Sequence, residues 1–354
     1  MTLRALPVQL IETADRVLLK RGRVEIAVGG EGVADVVKTI FTAASGEGAT
    51  REEIVSLFAA TDRPAVERLV EHLAQRRLLV PAEAEGAPTA DPAAAETPAD
   101  VFYWHFGDTG EAVASRLDEL RAVVLGVNVV SSRLVAALSQ AGATRFQVVD
   151  EPLLRNLRMI SDEGDLIDDH WPAALEPPLA YETWKRTFDP SALDCVVATS
   201  DFGGAVLMRQ WNEFAVEHRH AFFPVVLQDL IGYIGPLVVP GETACYECLR
   251  GRQNANFEDP ASRRAAESSA YAGQAVAGAH PIMASVLGEL AAFELIKLYG
   301  LRRPLWRPGT LVEVGFLASR TTSRTVLKLP RCPVCGPLRS TSPISPWREL
   351  RSST

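Results

Sequence analysis

No stretch of this sequence is apolar for long enough to cross a bilayer. The best candidate, Pro281 to Tyr299, is interrupted by Glu289, Glu294 and Lys297, whereas a spanning helix needs roughly 20 apolar residues. The start, Met1-Thr2-Leu3-Arg4, leads into no apolar signal core, so the expectation is a cytoplasmic protein. Positive charge is not in excess. The chain has 36 Lys and Arg against 44 Asp and Glu, a formal net charge of -8, which argues against bulk attraction to nucleic acid or an anionic membrane. Cysteine is scarce, with five in 354 residues.

Four of those five cysteines stand in two pairs, Cys245-Tyr246-Glu247-Cys248 and Cys332-Pro333-Val334-Cys335. Two residues between sulfurs let both thiolates of a tight turn face one centre. Two such turns make a tetrahedral zinc site. Two disulfides would be the alternative, but paired Cys-x-x-Cys turns without a secretion signal fit a reducing compartment. A four-cysteine site is closed, so the expected zinc is structural. Cys195 lies alone in the run Leu193 to Ala198, which reads as a buried strand with a core thiol.

The length and a 47% hydrophobic content suit two or three domains. Residues 81–100 contain four prolines, eight alanines and five acidic residues, with no large apolar or basic one. Such a segment reads as an extended linker. Before it, residues 1–80 read as a winged helix-turn-helix. Arg16 to Lys20 and Arg23 to Val28 form a hairpin around Arg21-Gly22. Val33 to Ala43 is an amphipathic helix. Thr50 and Glu53 make a capping box for a second helix, and Asp62 caps a third, with Pro64 in its first turn. Such a unit raises the question of DNA. It carries eleven Lys or Arg and eleven Asp or Glu, whereas a DNA reader needs a basic face. The third helix does place Arg68, His72 and Arg76 on one stripe, interleaved with Glu67 and Glu71.

After the linker the pattern becomes α/β, of Rossmann type. Ala122 to Gly126 reads as a parallel strand, Ser131 to Ala141 as a helix, and Phe146 to Asp150 as the next strand. Asp150, 24 positions after Gly126, stands where a ribose would be held. The glycine turn is incomplete, because Asn128 and Ser131 replace the second and third glycines of G-x-G-x-x-G. A side chain at the second place occupies phosphate space, so the reading is a retained scaffold with a vestigial site at Gly126, Asn128, Ser131 and Asp150. Further strands run through Cys195 to Thr199 and Phe222 to Leu227, with a helix over Ala205 to Glu217 between them. His280 to Leu298 reads as a long apolar helix, buried or at a subunit interface, with His280 as a satisfied polar group at its start.

Ser200-Asp201, the run Gly235 to Cys245 and the distant second Cys-x-x-Cys resemble the ThiF-like fold of ubiquitin-activating-type enzymes, over about residues 101–339. The whole chain more closely resembles the ocin-ThiF-like partner proteins of thiazole/oxazole-modified peptide biosynthesis, which includes bacteriocins and thiopeptides. That resemblance implies an N-terminal winged helix that binds the leader of a ribosomal precursor peptide. It further implies a ThiF-like body that engages a separate YcaO-type cyclodehydratase, which uses ATP to turn Cys, Ser or Thr into azolines. Active members of the broader fold keep the glycine turn, an Arg and a Lys for phosphates, and an Asp for magnesium. Here Asp150 and Asp201 match the acidic positions, and Arg158 lies two residues early for the arginine.

These departures point to a non-catalytic partner subunit without ATP, and because ThiF-like bodies usually pair, the resemblance implies a homodimer with the helix His280 to Leu298 as its candidate interface. Only nineteen residues follow Cys335, Gly336 to Thr354, so the cyclodehydratase is expected on another chain, and residues 340–354 are expected to form a tail. An adenylating enzyme acting on a ribosomal peptide and a zinc-containing DNA-binding regulator stay open as alternatives. For the leader, the expected template is the strand Val24, Glu25, Ile26 and Val28, with Arg68, Leu69, His72 and Arg76 of the third helix as the facing wall.

Overall fold

In a computed structural model the described residues are 1–13, 15–82, 97–163, 165–167, 171–189, 192–262, 265, 278–301 and 308–336. The chain forms two compact units, Met1–Ala112 and Val113–Thr354. No helix among the described residues is long and apolar enough to cross a membrane.

The first unit holds strands β1 (Thr2–Ala5), β2 (Gln9–Glu12), β3 (Arg16–Arg21) and β4 (Val24–Gly29), helix α1 (Val33–Ala43), β5 (Ala49–Thr50), helices α2 (Arg51–Ser56) and α3 (Arg63–Gln75), β6 (Leu79–Pro81) and α4 (Pro98–His105). The strands make two antiparallel three-stranded sheets, ordered β5-β1-β6 and β2-β3-β4. The hairpin has Arg21 opposite Val24 across the Gly22 turn. The amphipathic spacing of α1 buries Val37 and Ile40. They pack with Leu19, Ile54, Val70, Leu73 and Leu78 in one core.

The capping box forms as the sequence suggests, with Thr50 accepting from the Glu53 N–H and Glu53 accepting from the Thr50 N–H. Asp62 does not cap α3 with its side chain. Its backbone is already helical, so the carboxylate is not placed over the first turn. The proline- and alanine-rich run is shorter than its composition suggests. Pro81 pairs with Leu3 in β6, and Thr97 and Asp100 form a second capping box that starts α4. The rest of the expected linker, 83–96, and the expected tail lie outside the described residues.

Helix α5 (Gly110–Asp118) leads into the second unit. There follow β7 (Ala122–Leu125), α6 (Val129–Gln140), β8 (Phe146–Asp150), β9 (Leu179–Ala180), α7 (Tyr181–Thr187), β10 (Cys195–Ser200), α8 (Met208–His218), β11 (Ala221–Gln228), β12 (Ile231–Ile234), α9 (Tyr246–Asn254), α10 (Pro281–Leu295), β13 (Thr310–Gly315) and β14 (Arg320–Thr325). One eight-stranded sheet runs β14-β13-β12-β11-β10-β7-β8-β9. Strands β11, β10, β7, β8 and β9 are parallel, and β12 to β14 add antiparallel.

Every residue of β7 and β10 is buried, as expected for parallel strands covered on both faces. The chain goes from β7 outward to β8, then returns to place β10 on the other side of β7. The topological switch therefore lies between the carboxyl ends of β7 and β10, where open α/β sheets bind ligands. Gly126 to Asn128 follow one strand and Asp201 follows the other.

Candidate functional site

The four paired cysteines converge although 87 residues separate the two pairs. Cys245 stands immediately before α9 and Cys248 lies in its first turn, where the Cys248 N–H donates to the Cys245 carbonyl. Cys332 and Cys335 are gathered by a turn in which the Gly336 N–H donates to the Cys332 carbonyl. The Sγ atoms of Cys245 and Cys248 are 3.8 Å apart. Those of Cys245 and Cys332, and of Cys248 and Cys335, are 3.5 Å apart. All four sulfurs lie within 4.8 Å of one another. Tetrahedral zinc–sulfur bonds of about 2.3 Å put sulfurs about 3.8 Å apart, so the cluster fits zinc.

None of the five cysteines is in a disulfide. The Leu329 N–H donates to Cys248 Sγ at 3.3 Å, the kind of outer contact that orients a thiolate ligand. With thiols alone, burial pushes Cys335 up to about 11. The hydrogen bond between Cys245 and Cys248 raises the first and lowers the second to about 4. A dication would hold all four as thiolates. No ligand position is left for a substrate, so such a metal ties α9 to the segment after β14. Helix α9 is further anchored where Arg209 meets Glu247 at 2.6 Å, and where the Tyr246 hydroxyl donates to the Ala205 carbonyl.

Gly126, Asn128, Ser131 and Asp201 come together at the switch point. Gly126 has φ +106, and a Cβ there would lie 2.9 Å from Asn128 Nδ2 and from the Leu154 and Thr199 carbonyls. Asn128 has no exposed surface. Its Oδ1 accepts from the Ser131 N–H, and its Nδ2 donates to the Leu154 carbonyl, the Thr199 carbonyl and Thr199 Oγ1. Ser131 Oγ accepts from the Asn128 N–H. The buried Asp201 carboxylate takes the Val129 N–H at 3.0 Å and both its oxygens accept from Asn156 Nδ2.

A helix N-terminus binds an anion through free N–H groups. Here the N–H groups of Val129 and Ser131 already serve side chains of the chain itself, one of them a carboxylate. Burial raises the Asp201 carboxyl above its usual range, opposed by the Val129 and Asn156 hydrogen bonds. Asp150 is not part of this cluster. It pairs with Arg155 through contacts of 2.5 and 2.8 Å. Sequence reasoning missed Arg155, Asn156 and Thr199. The first two sit in a loop of short turns without periodicity, and Thr199 looks like any strand residue.

The eight residues expected to hold a peptide divide by exposure. Strand β4 pairs only with β3 among the described residues, so its other edge is unpaired. Ile26 is buried in the core and offers only main chain. Val24 and Val28 are half-buried, and Glu25 pairs with Lys20 at 2.7 Å. On α3, Leu69 and His72 are half-buried and Arg68 and Arg76 exposed. A hollow of about 450 Å³ lies on the opposite flank of α3, lined by residues such as Leu3, Arg51, Val70, Glu71 and Gln75. None of the eight lines it. Cys195 is fully buried, and burial pushes its thiol up to about 12, which leaves it inert as a nucleophile. His280 takes the place expected for it, accepting from the Ile282 N–H at the start of α10.

No protein-family model and no curated protein sequence matches the chain. Solved structures do. E. coli MccB with MccA-N7isoASN has a TM-score of 0.64 at 16% identity, covering 95% of this chain and 100% of that one. The chain shares the MccB fold. E. coli MccB with ATP gives 0.63, again at 16% identity, covering 95% of this chain and 100% of that one. The heterocyclase TruD gives 0.60 at 20% identity, covering 99% of this chain and 47% of TruD. The chain thus spans about half the length of the heterocyclase it matches. At these identities the likeness to MccB and TruD is one of fold.

Proposed function

We propose that this chain binds the leader of a ribosomally made precursor peptide and presents its core to a separate YcaO-type cyclodehydratase, which forms azolines from Cys, Ser or Thr. The observation that carries the reading is a contrast between two sites. At the switch point the Val129 and Ser131 N–H groups are taken by the chain's own Asp201 and Asn128, and Asn156 bonds Asp201. The outer edge of β4 is unpaired among the described residues, and its Val24 and Val28 pack against the same core as Leu69 of α3. A flexible peptide needs a template that supplies main-chain hydrogen bonds, and a free strand edge does this. The fold shared with the heterocyclase TruD supports a place in peptide modification of that kind. The four-cysteine centre is then structural zinc, and the protein acts in the cytoplasm.

Fluorescence polarisation with a labelled leader peptide tests the reading, with micromolar or tighter binding expected. An active adenylating enzyme is the second reading, favoured by the full-length match to MccB, one of whose complexes contains ATP. Exchange of labelled pyrophosphate into ATP separates the two, and exchange well above background would establish the second. DNA binding has less support, because the first 80 residues are formally neutral.

We also propose a homodimer through α10. This helix is predominantly apolar, with Glu289 and Glu294 as its acidic residues. It keeps Ile282, Val286, Leu290 and Phe293 between 37% and 64% exposed, spaced so that they share one face.

A further inference from the structure

Strand β4 and helix α3 contribute to one core, through Ile26, Val66, Val70 and Leu73, and form the two walls of the proposed peptide site. Helix α4 reaches both of its walls with consecutive side chains. His105 Nε2 accepts from the N–H of Arg23, the residue just before β4, at 3.1 Å. Trp104 Nε1 donates to the carbonyl of Arg77, just past α3, at 3.2 Å. The Arg21 guanidinium lies 4.8 Å from the centre of the Trp104 ring and also donates to the Pro7 carbonyl. Gly22, at φ +55, makes this approach feasible. A Cβ there would stand 2.8 Å from His105 Nε2 and 3.1 Å from Val101 Cγ1.

At the end where α4 stands, Arg23, Arg76 and Arg77 are exposed. None of the three has an ion-pair partner among the described residues. The nearby acids are engaged elsewhere. Glu25 pairs with Lys20, and Glu67 and Glu71 turn to Arg51 on the far flank of α3. Every strand pair among the described residues of this unit is antiparallel.

We propose that α4 is an end stop for a peptide strand added to β4, and that Arg23, Arg76 and Arg77 read an acidic residue at the carboxyl end of that strand. This rests on the reading of the β4–α3 cleft as the peptide site. Added antiparallel to β4, the strand runs toward Val24 and meets α4 with its carboxyl end. A slip of one residue would turn its whole apolar set to the other face. A fixed stop joined to a charge contact therefore decides which residues face Val24, Val28 and Leu69, without further side-chain pockets. Trp104 and His105 act as positioning residues, holding the stop against the cleft.

The probe is a set of 12-residue peptides selected on the full chain from a random display library, synthesised with a fluorophore and a photoreactive residue at either end. The inference expects selected peptides with alternating apolar residues and Asp or Glu at the carboxyl end. That end should cross-link to 98–106 or to Arg23, Arg76 and Arg77. Arg23→Glu with Arg77→Glu should weaken an acid-ended peptide at least tenfold and strengthen its Lys-ended counterpart. Arg23→Gln with Arg77→Gln serves as the milder pair should the first fold poorly. Cross-links within β4 and α3 from variable registers, or equal response of acid-ended and Lys-ended peptides to the substitutions, would overturn the end stop and leave the cleft intact. Cross-links to Met1, Arg51 or Gln75 in the opposite hollow, or failure to select any peptide, would overturn the cleft reading as well.

Discussion

At the scale of single residues, two positions make opposite demands. Cys248 holds a cluster together, and Asn128 fills a hole. Cys248→Ser should lower the bound zinc from about one per chain and aggregate the second unit, because the binding energy of a structural metal is folding energy. Metal analysis of freshly purified protein together with light scattering checks this, and wild-type protein without zinc would refute it. Asn128→Ala removes the donor to three oxygens and the acceptor for the Ser131 N–H. Buried groups left unpaired cost about 1–3 kcal/mol each, so a loss of about 2–4 kcal/mol is expected in urea unfolding. A side chain that merely obstructed a working phosphate site would instead leave stability nearly unchanged and raise ATP affinity when shortened. Gly126 and the cysteine spacing were legible in the sequence because each needs only local geometry. Asn156 under Asp201 was not, since 45 residues separate them and only the switch-point topology brings them together.

At the scale of elements, α4 shows how composition can mislead. Pro98, Ala99 and Asp100 look like the end of an alanine- and proline-rich linker, yet Thr97 with Asp100 is a capping box and Pro98 occupies the first helical position. The hairpin, α1 and the box before α2 were readable because capping and periodicity act over a few residues. Strands β12 to β14 went unread, because β12 is short and β14 is almost wholly polar.

Helix α4 also carries a pH dependence. Burial lowers the His105 pKa from its ordinary value near 6.5, with Arg23 and Arg21 adding repulsion. The unfolded chain then takes up the proton first, so docking of α4 is undiminished above about pH 6.5 and weakens as pH falls below it. Hydrogen-exchange protection over 97–106, corrected for the intrinsic pH dependence of amide exchange, should fall between pH 7.5 and 5.5 in the wild type, and His105→Gln should flatten that change. On α3, Arg68→Glu with Arg76→Glu should weaken an acidic leader at least tenfold in fluorescence polarisation. Unchanged affinity would remove that helix face from the site.

At the scale of the whole molecule, the apolar stripe on α10 predicts assembly. Light scattering at micromolar concentration should report twice the 38.4 kDa of one chain, and Val286→Glu with Leu290→Glu should return it to a single chain. The sheet edges have a different consequence. Strand β14 ends the large sheet with Arg320, Thr321, Thr322, Ser323, Arg324 and Thr325, a polar border that discourages pairing with other molecules. Strand β4 ends its own sheet with Val24, Ile26, Ala27 and Val28 and one acidic residue, Glu25, already neutralised by Lys20. An unguarded border of that kind invites a second molecule to lie along it when nothing else does. Protein made without its peptide should therefore form slow, concentration-dependent aggregates seeded at β4, and an added strand-forming peptide should act as a solubiliser.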